Sequence, residues 1–293
     1  MNAADVGASH RMGHREFLAC DYALLNPMQL ESNQWIDLPA AVVMPPGLGV
    51  DVAVLPRLVV LRSLSEDRRL ELLTRNDEWQ RLNRQALFGA LLTCDQEHEV
   101  VLRHLCNKMM IKMDRAYWIR LHDPRVFSCL DELLTDVQLR RLLGPIRTWA
   151  WFEPFSANWM LRERPTQVGG NGALRLDAMQ WGALKRLALV NRCLTRIVRE
   201  DGVLACYRTV ATRIDKHLQR AAHIGLIASD DACLYALNLE RNGADWLSLP
   251  HVRESLESAS RGKQTLVRAL AERDATAFPQ DDDAKNVSRS YPV

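Results

Sequence analysis

Four residues of the kinds that bind metals fall close together in this chain: Cys94, His98, His104 and Cys106. Thiolate sulfur and imidazole nitrogen are zinc ligands, and Cys94 and His98, four apart, would share one face of a helix. The second pair does not extend the set. Two positions on a helix differ by about 200°, so His104 and Cys106 would point apart. With neither CxxC nor HExxH in the sequence, no metal site is expected, and free thiols are expected as small buried hydrophobes. A second candidate is His122 beside Asp123, since an imidazole next to a carboxylate can move protons. Neighbours on a strand face opposite ways, however, and an Asp directly before a Pro is suited to capping a helix. Arg120 and Arg125 flank that Asp and are expected to bond it. A third candidate is a stripe of Lys185, Arg192, Arg196 and Arg199, whose steps of seven, four and three keep them on one helical face. Such a stripe suits an acidic protein surface; it is equally what a solvated face looks like. No GxSxG elbow, GxxxxGK[ST] loop or GxGxxG is present, so no catalytic or cofactor-binding residue is assigned.

The elements that would position these residues centre on Ala116–Trp149. Tyr117, Ile119 and Leu121 alternate with Trp118, Arg120 and His122, which predicts a strand over 116–122. Asp123 and Pro124 then predict a helix start, and Thr135 with Gln138 predicts a capping box for a second helix. Gly144 and Pro145 predict its stop, with a strand over 146–152 after it.

This unit resembles the type VI secretion effector adaptors, the Tap or Tec chaperones. Arg120, Asp123, Pro124, Arg125 and Val126, then Gln138, then Leu142 to Ile146 ahead of Trp149 carry the resemblance. Tyr22 to Leu25, Val100 to Leu105, and Asn242 to Trp246 followed by Pro250 and Val252 extend it over most of the chain. The chain departs from the family at Asn26-Pro27, where an Asp-Gly-like turn is usual, and at Leu55, where a Gly is usual. The resemblance implies a non-catalytic adaptor that holds a toxic effector and helps load it onto the VgrG spike, with no cofactor. Read from the residues alone, two other classes stay open: a hydrolase using Asp123 and His122, and a nucleic-acid binder through the basic stripe.

Length and composition bound these readings. A chain of 293 residues, 47% hydrophobic, can bury one large core or two modest ones. Met1 to Glu16 lacks a signal-peptide apolar core and no run is long enough to span a bilayer, so a cytoplasmic protein without membrane insertion is expected. Seven unevenly spaced cysteines fit a reducing compartment. A net charge of +2 gives no overall pull toward nucleic acid, and none is expected as a partner. Charge is uneven, though: over 173–220 ten Lys and Arg stand against four Asp and Glu, and over 221–293 eight stand against eleven.

In chain order, residues 1–15 are expected to lack order, and Phe17 to Leu25 to form a strand. Leu58 to Leu61 is expected as a strand buried on both faces, followed by a helix capped by Ser65. A further strand is placed within 87–93 and a helix over 97–109. Arg164 to Gly172, with Pro165, Gly169, Gly170 and Gly172, reads as a linker. The division is thus a 16–164 α/β (α+β) lobe, a 165–172 linker, a 173–280 mainly α-helical lobe, and a disordered 281–293 tail. Helices are predicted over 177–200, 203–223, 230–242, 250–258 and 263–273.

Overall fold

The computed structural model describes residues 11–166 and 173–277. It has an N-terminal antiparallel sheet region followed by a mainly helical C-terminal half, as the sequence pattern predicts. Most of the linker, at 167–172, and the whole 281–293 tail lie outside the described residues, as do residues 1–10.

The chain opens with α1 (His14–Leu18), β1 (Tyr22–Leu25), β2 (Ala40–Val42), β3 (Arg57–Val60), α2 (Glu66–Asn83) and β4 (Ala90–Thr93). It continues with α3 (His98–Lys108), β5 (Met110–Lys112), β6 (Ala116–Trp118), α4 (Pro124–Leu133), α5 (Asp136–Leu143), β7 (Thr148–Glu153) and β8 (Asn158–Glu163). Then come α6 (Ala178–Asp201), α7 (Tyr207–His223), α8 (Ser229–Asn242), α9 (Pro250–Ser260) and α10 (Leu266–Ala277). Six strands form one sheet in the order β2-β3-β1-β4-β7-β8, with every pair antiparallel.

Period-two alternation explains the layering. Tyr22, Leu24, Leu58, Leu92, Trp149 and Trp151 enter one apolar cluster, with Val101 and Leu105 of α3, Phe127 and Leu130 of α4 and Leu139 of α5. Their strand neighbours Ala23, Leu25, Val59, Leu91, Ala150 and Phe152 enter another, with Phe17 of α1 and Leu72 and Leu73 of α2. The sheet is therefore covered on both faces, which is why its strands read as nearly continuous apolar runs.

Two expectations change, and one strand is added. Phe17 is helical: α1 replaces the first half of the predicted strand, and the Arg69 guanidinium donates to the carbonyls of Phe17, Leu18 and Cys20, closing that helix. The strand predicted over 116–122 stops at Trp118, because β6 pairs only with the three residues of β5 and not with the main sheet. The strand β8 follows a turn in which Ala157 takes φ 54, a conformation that the sequence does not announce.

Two compact units emerge. One holds the described residues up to Leu187 together with Glu200–Tyr207; the other holds Ala188–Arg199 and the described residues from Arg208 on. The division falls inside α6 because Leu174, Leu176, Trp181 and Leu184 pack into the cluster of the first unit.

Candidate functional site

Asp123 is 3% exposed and caps α4, with Pro124 at its first position. Its Oδ1 accepts from the Arg125 backbone N–H at 3.0 Å and from Arg125 Nε at 2.9 Å, while Oδ2 accepts from Arg125 Nη2 at 2.8 Å. Arg120, mostly exposed, stands 3.9 Å from Oδ2. Burial disfavours the charge, yet the bonds and positive charge of Arg125 outweigh it and hold the carboxyl below its usual range. A planar guanidinium thus occupies both oxygens side-on.

His122 is 2% exposed, lies with its ring inclined 30° to that of Trp118 at 6.1 Å, and has a buried Nδ1 with no hydrogen-bond partner. Burial pushes its imidazole down to about 4 against the pull of Asp123, so it is neutral near pH 7. His122, which strand alternation would set on the face opposite Leu121, is buried as Leu121 is, because the chain turns after Trp118 and carries the ring inward. Gly89 makes room for this turn: a Cβ there would stand 2.1 Å from the His122 carbonyl oxygen.

Gln138 completes the capping box predicted with Thr135 and does more. Its Oε1 accepts from the Thr135 N–H at 2.9 Å, and its Nε2 donates to the Arg175 carbonyl at 2.7 Å. Its amide also pairs reciprocally with that of Gln180 at 2.9 Å. Gln180 in turn bonds Asp177 in both directions, N to Oδ1 at 2.8 Å and Oε1 from N at 3.0 Å. It also donates to the Leu133 carbonyl at 2.7 Å. Two helix starts are thereby joined through their capping glutamines. Asp177-x-x-Gln180 has the spacing of a cap, which is the signal that the pattern reading passed over.

Gly144 takes φ 57 at the end of α5, and its carbonyl accepts from Arg164 at 2.6 Å. The His104 ring fills the place of the missing side chain, 2.1 Å from where a Cβ would be. His104 Nε2 donates to the Leu142 carbonyl at 2.8 Å, and the Cys94 thiol donates to the Pro145 carbonyl at 3.3 Å. Two of the four metal-type residues thus close a helix terminus. Cys106 is half-buried with its thiol pushed up by burial, and His98 is exposed. Among the described residues, no group of three or more His, Cys, Asp or Glu converges as a metal would require.

Sequence reasoning also passed over Glu153. It is fully buried, and its Oε2 accepts from the N–H groups of Phe155 at 2.9 Å and Ser156 at 3.1 Å, which fixes the β7–β8 turn. Arg162 on β8 then reaches Asp131 at 3.2 Å and Asp136 at 3.0 Å.

The basic stripe stands on α6, with all four residues exposed. Lys185, in the first unit, places its ammonium 5.3 Å from the Trp181 ring centre. In the second unit Arg192 pairs with Asp230 at 2.5 Å, and Arg196 and Arg199 follow on the same face.

No family model matches the chain, and neither a curated protein nor a solved structure of detectable similarity is found. Among the described residues no helix is long and apolar enough to cross a membrane.

Proposed function

We propose that this chain is a cytoplasmic, non-catalytic adaptor that binds a type VI secretion effector and helps load it onto the VgrG spike. The observation that carries the reading is the use made of the residues that bear the resemblance. Asp123 and Arg125 close on each other, Pro124 starts α4, Gln138 ties two helix starts together, and Gly144 and Pro145 end α5 around His104 and Cys94. These residues form a frame that holds helices against a sheet, so recognition falls to the surfaces that the frame presents. The hydrolase alternative draws less support, because Arg125 occupies both oxygens of the carboxylate that would act as base.

Lys185, Arg192, Arg196 and Arg199 are the surface assigned to an acidic face of the effector. The test is co-purification with a candidate type VI effector and a VgrG spike protein, followed by kinetics on a variant with all four residues changed to Glu. Exposed charges act mainly on association, so the variant should bind several-fold more slowly at low salt and respond less to added salt. Its fold should survive, since the Arg192–Asp230 pair is more than half exposed at both ends. Unchanged kinetics would remove the stripe; failure of the unmodified chain to capture either partner would remove the adaptor reading itself.

A further inference from the structure

The second unit holds a pair of cysteines that the frame around Asp123 does not use. Cys193 on α6 is fully buried, and Cys233 on α8 is 5% exposed. The Cys193 sulfur lies 3.9 Å from the Cys233 carbonyl oxygen, and the Cys233 sulfur lies 4.0 Å from the carbonyl oxygen of Leu189, one turn before Cys193. Each thiol therefore reaches the backbone of the other's helix, which lodges both sulfurs between α6 and α8. Two sulfurs lodged between neighbouring helices are the arrangement from which a disulfide can close.

We propose that Cys193 and Cys233 form a redox-active dithiol, oxidised by hydroperoxides to a disulfide that ties α6 to α8 and reopened by low-molecular-weight thiols. Cys233 is the attacking sulfur. It is the less deeply buried of the two, and the neighbouring Cys193 thiol and the positive charge of Arg192 lower its pKa, while that of Cys193 is raised. With hydrogen peroxide, the Cys233 thiolate attacks one oxygen, the O–O bond breaks, and the departing hydroxide takes a proton to become water. The Cys193 sulfur then displaces the hydroxyl from the Cys233 sulfenic acid, forming the S–S bond, while the Cys193 proton leaves with that hydroxyl as a second water. Two thiols are oxidised and one peroxide is reduced. Reopening consumes two external thiols and returns their disulfide.

The unmodified full chain is sufficient for the test. It is treated with hydrogen peroxide, denatured, alkylated and digested without reductant, with a parallel sample oxidised in the presence of a dimedone-type sulfenic acid probe. The expected result is a cross-linked Cys193–Cys233 peptide, joint loss of both alkylatable thiols, their recovery after dithiothreitol, and probe label on Cys233. The exposed Cys206 is the internal control for unselective oxidation. Recovery of both thiols while Cys206 is oxidised, or a link from either cysteine to a different one, overturns the pairing. Label on Cys193 in place of Cys233 overturns the order of attack.

Discussion

The two compact units spend their polar groups differently. In the first, polar side chains are drawn inside and aimed at backbone: Asp123 caps α4, Glu153 holds a turn, Asn76 accepts from the Leu87 N–H at 3.0 Å, and Gln138 and Gln180 bridge helix starts. In the second, Asp231 and Ser255 are the polar residues buried among those described, and ion pairs such as Arg192–Asp230, Arg261–Glu257 and Arg268–Glu272 lie at the surface. A buried bond cannot be replaced by water when it is cut, whereas an exposed pair is half solvated already. The first unit is therefore where single substitutions should cost most, and the second is where surface charge can vary at little cost to folding.

The sharpest way to break that contrast is through the aromatic stack of the first unit. Phe127 lies 4.4 Å from Trp149 with the rings 2° from parallel, and 4.9 Å edge-on from Trp151; all three are essentially buried. Phe127→Ala should cost about 3–5 kcal/mol by urea denaturation, because the rigid sheet cannot collapse into the space. A loss below about 1 kcal/mol would mean that this core is far looser than its packing implies.

A smaller effect should appear on acidification. His122 titrates near 4 in the folded protein against an ordinary value of 6.5, so between those values the unfolded chain binds more protons. Its contribution to stability is complete above about 6.5 and is lost as pH falls toward 4. Burial lowers His104 as well, so it adds to the same slope. Denaturation midpoints measured across this range should fall with pH, and His122→Gln should flatten the curve in part. A curve that keeps its full slope in the variant would assign the dependence to other groups.

The smallest differences compare one carboxylate–arginine pair from each unit. Asp123→Ala removes a cap and strands a half-buried guanidinium, and should cost about 1–2 kcal/mol. Arg261→Ala cuts a pair that is more than half exposed at both ends, and should cost about 0.2–1 kcal/mol. Thermal melting of both variants ranks them; an inverted order would erase the distinction between the units.

Much of this architecture was legible in the chain because it rests on local rules. The Ser65, Asp123 and Thr135 caps stand where side-chain oxygens precede apolar periodicity, and Val101, Leu105 and Met109 fall on the buried face that their spacing predicts. Gly144 ends α5 at a positive φ, as a glycine before a proline suggests. What escaped was non-local. Phe17 looks like a strand residue until Arg69, far along the chain, closes the helix that contains it. Ile119 and Leu121 alternate like a strand but have no third strand to join, so they pack as buried residues of a turn.

The sequence by itself therefore determined where helices begin and end, which strand positions are apolar, and which residue types are available for chemistry. Those properties depend on backbone groups a few residues apart. Only the tertiary structure decided what the chemistry-bearing residues do. It sent His104 and Cys94 to helix-end carbonyls, closed Arg125 over Asp123, turned His122 inward against Trp118, and brought Cys193 and Cys233 together from separate helices. Each of those outcomes depends on which distant backbone or side chain stands within about 3–4 Å, a distance that spacing along the chain does not encode.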